Sequence, residues 1–263
     1  MNIYIKLIME INLFKKIYNF LNHIGINLIK IFNLIYIFKF LKDLSSFKKK
    51  GGKVSNFNII LGHHKLLSGK IDKHYFHQDI HVASLIYNSN PNKHVDIGSR
   101  IDGFVSNLAS FRKVEVLDIR ENKIFHKNID FKKMDLNSLP REYYNYSDSV
   151  SCLHTLEHLG LGRYGDNINP DGHIEGFKNL INITKPNGTL YVSFPISNMN
   201  RVEFNAHRVF EASEILKWSS KIKIFKFDYI NDYGSLREDI KLEKLIDEKI
   251  MYGCGIYSIK VIK

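Results

Sequence analysis

Two groups of residues in this sequence have the types and spacing that chemistry needs. The first is a set of aspartates, Asp96, Asp118 and Asp135, each at or near the end of a short β-type run. A carboxylate fixed at a strand end can accept both hydroxyls of a ribose, whose donors are costly to bury unpaired. Asp118 follows Asp96 by 22 residues, the spacing expected of such an acid. The second group is His154, Glu157 and His158, which follow the run Ser147 to Leu153. A histidine can take a proton at neutral pH, and an adjacent glutamate can hold its tautomer and support its charged form. Gly160, Gly162 and Gly165 would let the loop fold closely round a substrate. Within it, Arg163 offers a planar fork for an anionic acceptor. His207 is a further candidate from a neighbouring loop, with Arg208 equally plausible for that role.

The elements that must position these residues can be read from local pattern. His94 to Ile97 is a strand, a glycine-containing turn follows, Gly103 to Ser110 is helix-like, and Val114 to Ile119 is a second strand. This is a βαβ unit. Gly98 and Gly103, with Ser99 between them, let the backbone pass close to a ligand. The N–H groups opening the next helix favour a polar or anionic group. Further strands are expected at Phe131 to Met134, ending at Asp135 and Leu136, at Ser147 to Leu153, and at Thr189 to Ile196. Two more lie near Ile222–Tyr229 and Gly255–Ile262. Helices are expected from Tyr75 to Tyr87, from Gly176 to Thr184 and from Glu211 to Ser219. Lys185-Pro186-Asn187-Gly188 reads as a strong turn. Strands alternating with helices argue a mostly parallel sheet covered on both faces.

The chain of 263 residues can hold one α/β domain and an extension, and 44% hydrophobic residues are enough for a substantial core. Its charge is unevenly spread. Residues 1–53 hold ten lysines against Glu10 and Asp43, a net +8 of the total +11, which leaves +3 beyond Lys53. The basic character belongs to the extension, and nucleic acid is not the favoured partner. From Asn12 to Asn33 the Asn, Lys and His residues fall on one helical face, and the rest is apolar. Such a helix suits an anionic membrane surface better than a transmembrane span, because Lys30 and several Asn are expensive in hydrocarbon. The alternative is a helix packed on the domain or on another subunit. Lys48 to Lys53 reads as a flexible basic linker between an extension, 1–53, and a domain, 54–263. Cys152 and Cys254 have no metal-ligand spacing and fit a reducing cytoplasm. His74, His77 and His81 share a helical face and read as solvated or hydrogen-bonded histidines. No metal is expected.

The turn is Asp-x-Gly-x-x-x-x-Gly, and an acid at the strand end suits an amine-bearing ligand better than a pyrophosphate. It resembles the first motif of class I S-adenosylmethionine-dependent methyltransferases, typically Asp/Glu-x-Gly-x-Gly-x-Gly. Arg100 and Asp102 stand where the second and third glycines usually do. HVDIGSRIDGFV, SCLHTLEHLGLGRYGD and FNAHRVF, in that order, look like the bacterial and nematode domain-of-unknown-function family 268 over roughly Tyr75 to Phe210. Arg100 and Asp102 are part of that family's own pattern. The resemblance implies an α/β fold with a Rossmann-like, seven-stranded, mostly parallel sheet of the class I methyltransferase type, here with an N-terminal amphipathic helical extension. It implies S-adenosylmethionine as cofactor. Asp118 would hold the ribose, Asp135 and Leu136 the adenine end, and Asp96, Gly98, Ser99 and Gly103 the methionine end. His154, Glu157, His158, Arg163 and His207 would serve the acceptor. Bacterial members are often associated with surface-polysaccharide genes, so the implied reaction is methyl transfer to an oxygen of a cell-surface glycan precursor. The implied location is cytoplasmic, peripheral on the inner face of a membrane. A non-catalytic scaffold of the same fold is the competing class. His154-x-x-Glu157-His158 also matches an inverted zinc-protease motif. That motif needs a helix, and here the run leaves a strand for a glycine-rich loop.

Overall fold

The computed structural model describes residues 17–263 apart from 19, 66–68, 70, 124 and 125, and apart from the side chains of 29, 244, 246 and 247. The chain forms two compact units, 1–70 and 71–263.

In the first unit, residues 20–23 are helical, and helices α1 (Leu28–Phe32) and α2 (Ile37–Lys49) follow, joined by a 3-10 turn at Asn33–Tyr36. The single helix expected from Asn12 to Asn33 is therefore broken. Gly25 adopts φ 87°, a left-handed conformation that ends one helical piece. Asn27 opens the next by accepting a hydrogen bond from Lys30 N at 3.0 Å. The beginning of the polar stripe, at Asn12, Lys15, Lys16 and Asn19, lies outside the described residues. Lys48 and Lys49 belong to the last turn of α2, so the expected flexible linker is part helix. Among the described residues, no helix is long and apolar enough to cross a membrane.

The second unit is built on a sheet of ten strands: β1 (His94–Ile97), β2 (Val114–Asp118), β3 (Ile129–Lys133), β4 (Ser147–Leu153), β5 (Thr184–Ser197), β6 (Arg201–Glu203), β7 (His207–Glu211), β8 (Ile222–Ile230), β9 (Leu236–Arg237) and β10 (Gly253–Val261). The main path runs β3-β2-β1-β4-β5-β10-β8-β9. The first five of these strands are parallel, and β10 runs antiparallel between β5 and β8. The expected seven strands and the reversed closing strand are thus present. Three short additions extend them: β9, and the β6–β7 hairpin, whose β7 pairs with the end of β5 through Ile196 and Phe210. Pairing of Phe210 and Glu211 in β7 delays the helix expected from Glu211, which is confined to α6 (Ile215–Trp218). The expected turn Lys185–Gly188 lies inside β5. It is an irregularity in the register with β4, where Ser147 pairs with Thr184 but Ser149 pairs with Thr189.

β1 and β2 are buried at every position, as a sheet covered on both faces requires. One apolar cluster joins Val95, Ile97, Val150, Phe177, Leu180, Phe194 and Trp218 under α5 (Gly172–Ile183). The other joins Val82, Ile86, Phe104, Leu108, Val116 and Ile256 under α3 (Lys73–Ser89) and α4 (Ser106–Ala109). The side chain of Asp72 caps α3 by accepting from His74 N and Tyr75 N, and Asn90 closes it with φ 39°. A π-helical turn at Ile101–Val105 precedes α4, the kind of overwide turn that often marks a working site.

Candidate active site

The strand order reverses between β1 and β4, so the two strands part at their carboxyl ends and leave a crevice. A cleft opens there, lined by Gly98, Asp118, Arg120, Met134, Asp135, Leu136, His154, Thr155, His158, Tyr164 and Asp166, among others. The structure therefore brings together Gly98, Asp118, Asp135, Leu136, His154 and His158 from the sequence reading. It does not bring Asp96, Ser99 or Gly103 to the cleft wall.

Those three have internal work instead. Asp96 is fully buried and accepts Ser151 Oγ at 2.5 Å, Ser99 Oγ at 2.6 Å and Ser99 N at 3.2 Å. It pins the turn to β4 from beneath. Burial pushes its pKa up to about 7, against the opposing hydrogen bonds from Ser151 and Ser99. At Gly103 a Cβ would meet the carboxylate of Asp79 on α3. Arg100 and Asp102 form an ion pair with one another, and the Arg100 guanidinium lies 4.8 Å from the centre of the Tyr75 ring. At Gly98, φ is 69° and a Cβ would come within 2.7 Å of Thr155 Cγ2, so only glycine lets the β1 and β4 turns approach this closely.

Asp118 closes β2 with its side chain only 10% exposed. Both of its oxygens are engaged by Arg120, whose guanidinium in turn lies 4.6 Å from the centre of the Tyr164 ring. Asp135 uses Oδ1 to cap a 3-10 turn at Asn137 N, 2.9 Å away.

Past β4 the chain makes a single 3-10 turn, Leu156–His158, rather than the α-helix that a His-x-x-Glu-His metal motif needs. His154 takes φ 51° and donates from Nδ1 to Glu157 Oε1 at 2.7 Å. Burial opposes a charge on His154, but the Cys254 sulfur and the Glu157 carboxylate outweigh it and hold the pKa well above 6.5. His158 instead donates from Nδ1 to the Ala206 carbonyl at 2.7 Å, which leaves Nε2 with its lone pair. Burial lowers the His158 pKa, so the ring is neutral at pH 7. Glu157 Oε1 stands 3.9 Å from that Nε2.

Burial separates Arg208 from His207, its equal on sequence grounds, and from Arg163. Arg208 is 4% exposed and donates to the carbonyls of Glu157, Leu159, Asn169 and Pro170, so it holds the loop together. Arg163 is exposed and is anchored through the Ala206 carbonyl at 2.9 Å and the Tyr164 ring. His207 lies 6.2 Å from His158 and 5.7 Å from Tyr252, ring centre to ring centre. Sequence reasoning missed Arg120 in the cleft, and it pointed to the run His154 to Asp166 without singling out Tyr164 and Asp166. It also missed His74 and Tyr75, whose rings pack on His154, and Tyr252, whose ring stacks on His74. Only Arg120 left a signal, two residues beyond the strand-end acid.

Solved structures with this fold include an S-adenosylmethionine-dependent methyltransferase from Clostridium acetobutylicum, 13% identical with a TM-score of 0.50, covering 76% of this chain and 96% of that one. The cyclase SpnF matches with a TM-score of 0.50 at 10% identity, covering 69% of this chain and 81% of that one. At these identities the likeness concerns the fold, and the second example names a different reaction on it. A comparison with curated proteins gives no match. Residues 104–251, more than half of the sequence, match one family description, a stretch that takes in β2 to β9 and the whole loop after β4. The chain belongs to that family, described as Caenorhabditis protein of unknown function, DUF268.

Proposed function

We propose that the 71–263 unit binds S-adenosylmethionine in the cleft between β1 and β4 and directs its methyl group to an acceptor oxygen. The observation that carries this reading is the convergence of Gly98, Asp118, Asp135 and His158, from four different strand ends, on one cleft at the reversal of strand order. The residues fit the cofactor. Gly98 brings bare backbone to the cleft wall at the end of β1, where the methionine end would lie, and Asp118 is a buried acceptor at the end of the neighbouring β2. Asp135 lines the cleft beside the apolar Leu136, where its carboxylate would take the adenine amine. When bound, the cofactor supplies an electrophilic methyl carbon.

The protein's own part is alignment and proton removal. Alignment supplies much of the rate of an in-line displacement. His158, neutral and tautomerically fixed by the Ala206 carbonyl, receives the acceptor proton on Nε2. His154 and Glu157 hold the turn that presents it, while Arg163 and His207 face the acceptor side. We assign the acceptor to the hydroxyl class, as on a cell-surface glycan precursor, on the strength of the family resemblance and of the Arg163 fork. Residues 1–70 carry exposed Phe20, Phe32, Leu34, Ile35, Phe38 and Leu41 beside several lysines, a combination suited to an anionic membrane surface.

The test is transfer of labelled methyl from S-adenosylmethionine into acceptor fractions by the full chain. Label appearing in a glycan fraction with wild type, and not with His158→Ala, supports the assignment. Label absent from every fraction with a cofactor-loaded protein favours the scaffold.

A further inference from the structure

Three potential ligand atoms that the proposed reaction leaves unused meet beside the cleft. A ring nitrogen of His74 on α3, one of His154 after β4 and the sulfur of Cys254 on β10 all lie within 4.8 Å of one another. They come from three elements far apart in sequence, which is why no ligand spacing betrays them. The side chain of His154 is only 6% exposed, and its buried Nε2 makes no well-formed hydrogen bond, the Cys254 sulfur being the weak partner it faces. A buried polar atom left with only a weak partner is costly and asks for an explanation.

The opposite nitrogen of that ring supplies one. Nδ1 donates to the buried carboxylate of Glu157 at 2.7 Å. A metal-binding histidine ordinarily does this with its second nitrogen: the carboxylate fixes the tautomer and leaves the other nitrogen basic. Two imidazoles and one thiolate are a donor set for a borderline-soft divalent ion such as zinc, leaving one of four positions open. Charge also balances. A doubly positive ion, the Cys254 thiolate and the Glu157 carboxylate sum to zero, as a buried group of charges requires. A crevice bounded by Asp72, His74, Asp232 and Tyr252 opens beside His74, and His154 itself lines the main cleft.

We propose that His74, His154 and Cys254 form a zinc site, whose open position holds the acceptor oxygen next to the methyl donor. Binding displaces the thiol proton of Cys254 to solvent, together with the Nε2 proton of His154 when that ring is charged, and forms one metal–sulfur and two metal–nitrogen bonds without any change of oxidation state. The acceptor role rests on the methyl-transfer reading; the metal site does not.

The experiment is a titration of the chelator-treated full chain with zinc by calorimetry and with cobalt(II) by absorption. The expected result is one ion per chain, with the near-ultraviolet charge-transfer band of a thiolate–cobalt bond. Cys254→Ala should abolish the band, and Cys254→Ala and His74→Ala should each weaken binding by at least about 100-fold. Glu157→Gln should weaken it by roughly 10–100-fold. Thermal unfolding of each variant guards against loss of the fold, and the His74→Ala change lies on a partly exposed side chain. Absence of stoichiometric binding by folded wild type, or binding that survives both Cys254→Ala and His74→Ala, overturns the proposal. Calorimetry with S-adenosylmethionine on the same samples reports separately on the cofactor cleft.

Discussion

Asp118 and Arg120 are locked together: Nε donates to one carboxylate oxygen at 3.0 Å and a terminal nitrogen to the other at 2.7 Å. Ribose hydroxyls that use Asp118 must therefore displace or share this pairing. The Arg120 side chain is about half exposed, so the pair is worth no more than roughly 0.2–1 kcal/mol. Arg120→Ala should accordingly tighten S-adenosylmethionine binding by about 1–5-fold. Weakening of tenfold or more would mean that Arg120 holds the ligand and does not guard the acid.

His158 gives the account its pH dependence. A base must be neutral to act, and burial lowers the pKa of this ring from 6.5. The acid limb of kcat/KM should therefore fall below pH 6.5, with a plateau through neutrality. His158→Ala should lower turnover by about 10²–10⁴-fold while cofactor affinity changes little. An acid limb above pH 6.5 would assign the titration to another group.

Asp96 should leave its mark on stability. Its folded pKa, about 7, is raised above the ordinary 3.8, so the folded state holds a proton that the unfolded state has lost. Its stabilisation is full below pH 3.8 and is lost as pH rises through about 7. Asp96→Asn should remove this slope and gain on wild type by on the order of 2–4 kcal/mol between pH 5 and pH 8. Urea unfolding at the two pH values reads the difference directly, and parallel shifts in the two proteins would contradict it.

Arg208 is the keystone of the loop after β4. Four carbonyls depend on its planar fork, which lysine cannot reproduce. Arg208→Lys and Arg208→Met should both cost about 2–4 kcal/mol and expose residues 157–170 to proteolysis. Wild-type resistance in either variant would show that the loop stands without it. Gly160 supports the same loop, because its φ of 80° and missing Cβ let it lie against the Asn169 carbonyl.

How much of this was legible in the sequence depends on the range of the interaction. β1 and β4 were readable to the residue, because a buried strand bounded by turn residues is a local pattern. The three aspartates could be placed at strand ends for the same reason. Their division of labour could not. Whether Asp96 faces the cleft or the core depends on Ser151, which lies 55 residues away. The hairpin β6–β7 hid because β7 owes its form to pairing with β5, and β6 to pairing with β7, rather than to propensity. Choosing between His207 and Arg208 needed burial, which one residue of register decides on a strand. The meeting of His74, His154 and Cys254 is a product of topology alone, so no spacing rule could have found it.

The central claim, that this cleft is a cofactor site organised by Asp118, is tested most directly by calorimetry of the full chain with S-adenosylmethionine and with its demethylated product. The account predicts one site per chain for wild type and affinity weakened by roughly 1–3 kcal/mol in Asp118→Ala, where ribose hydroxyls lose their acceptor. No heat with either compound from folded wild-type protein, or equal affinity in Asp118→Ala, would contradict it.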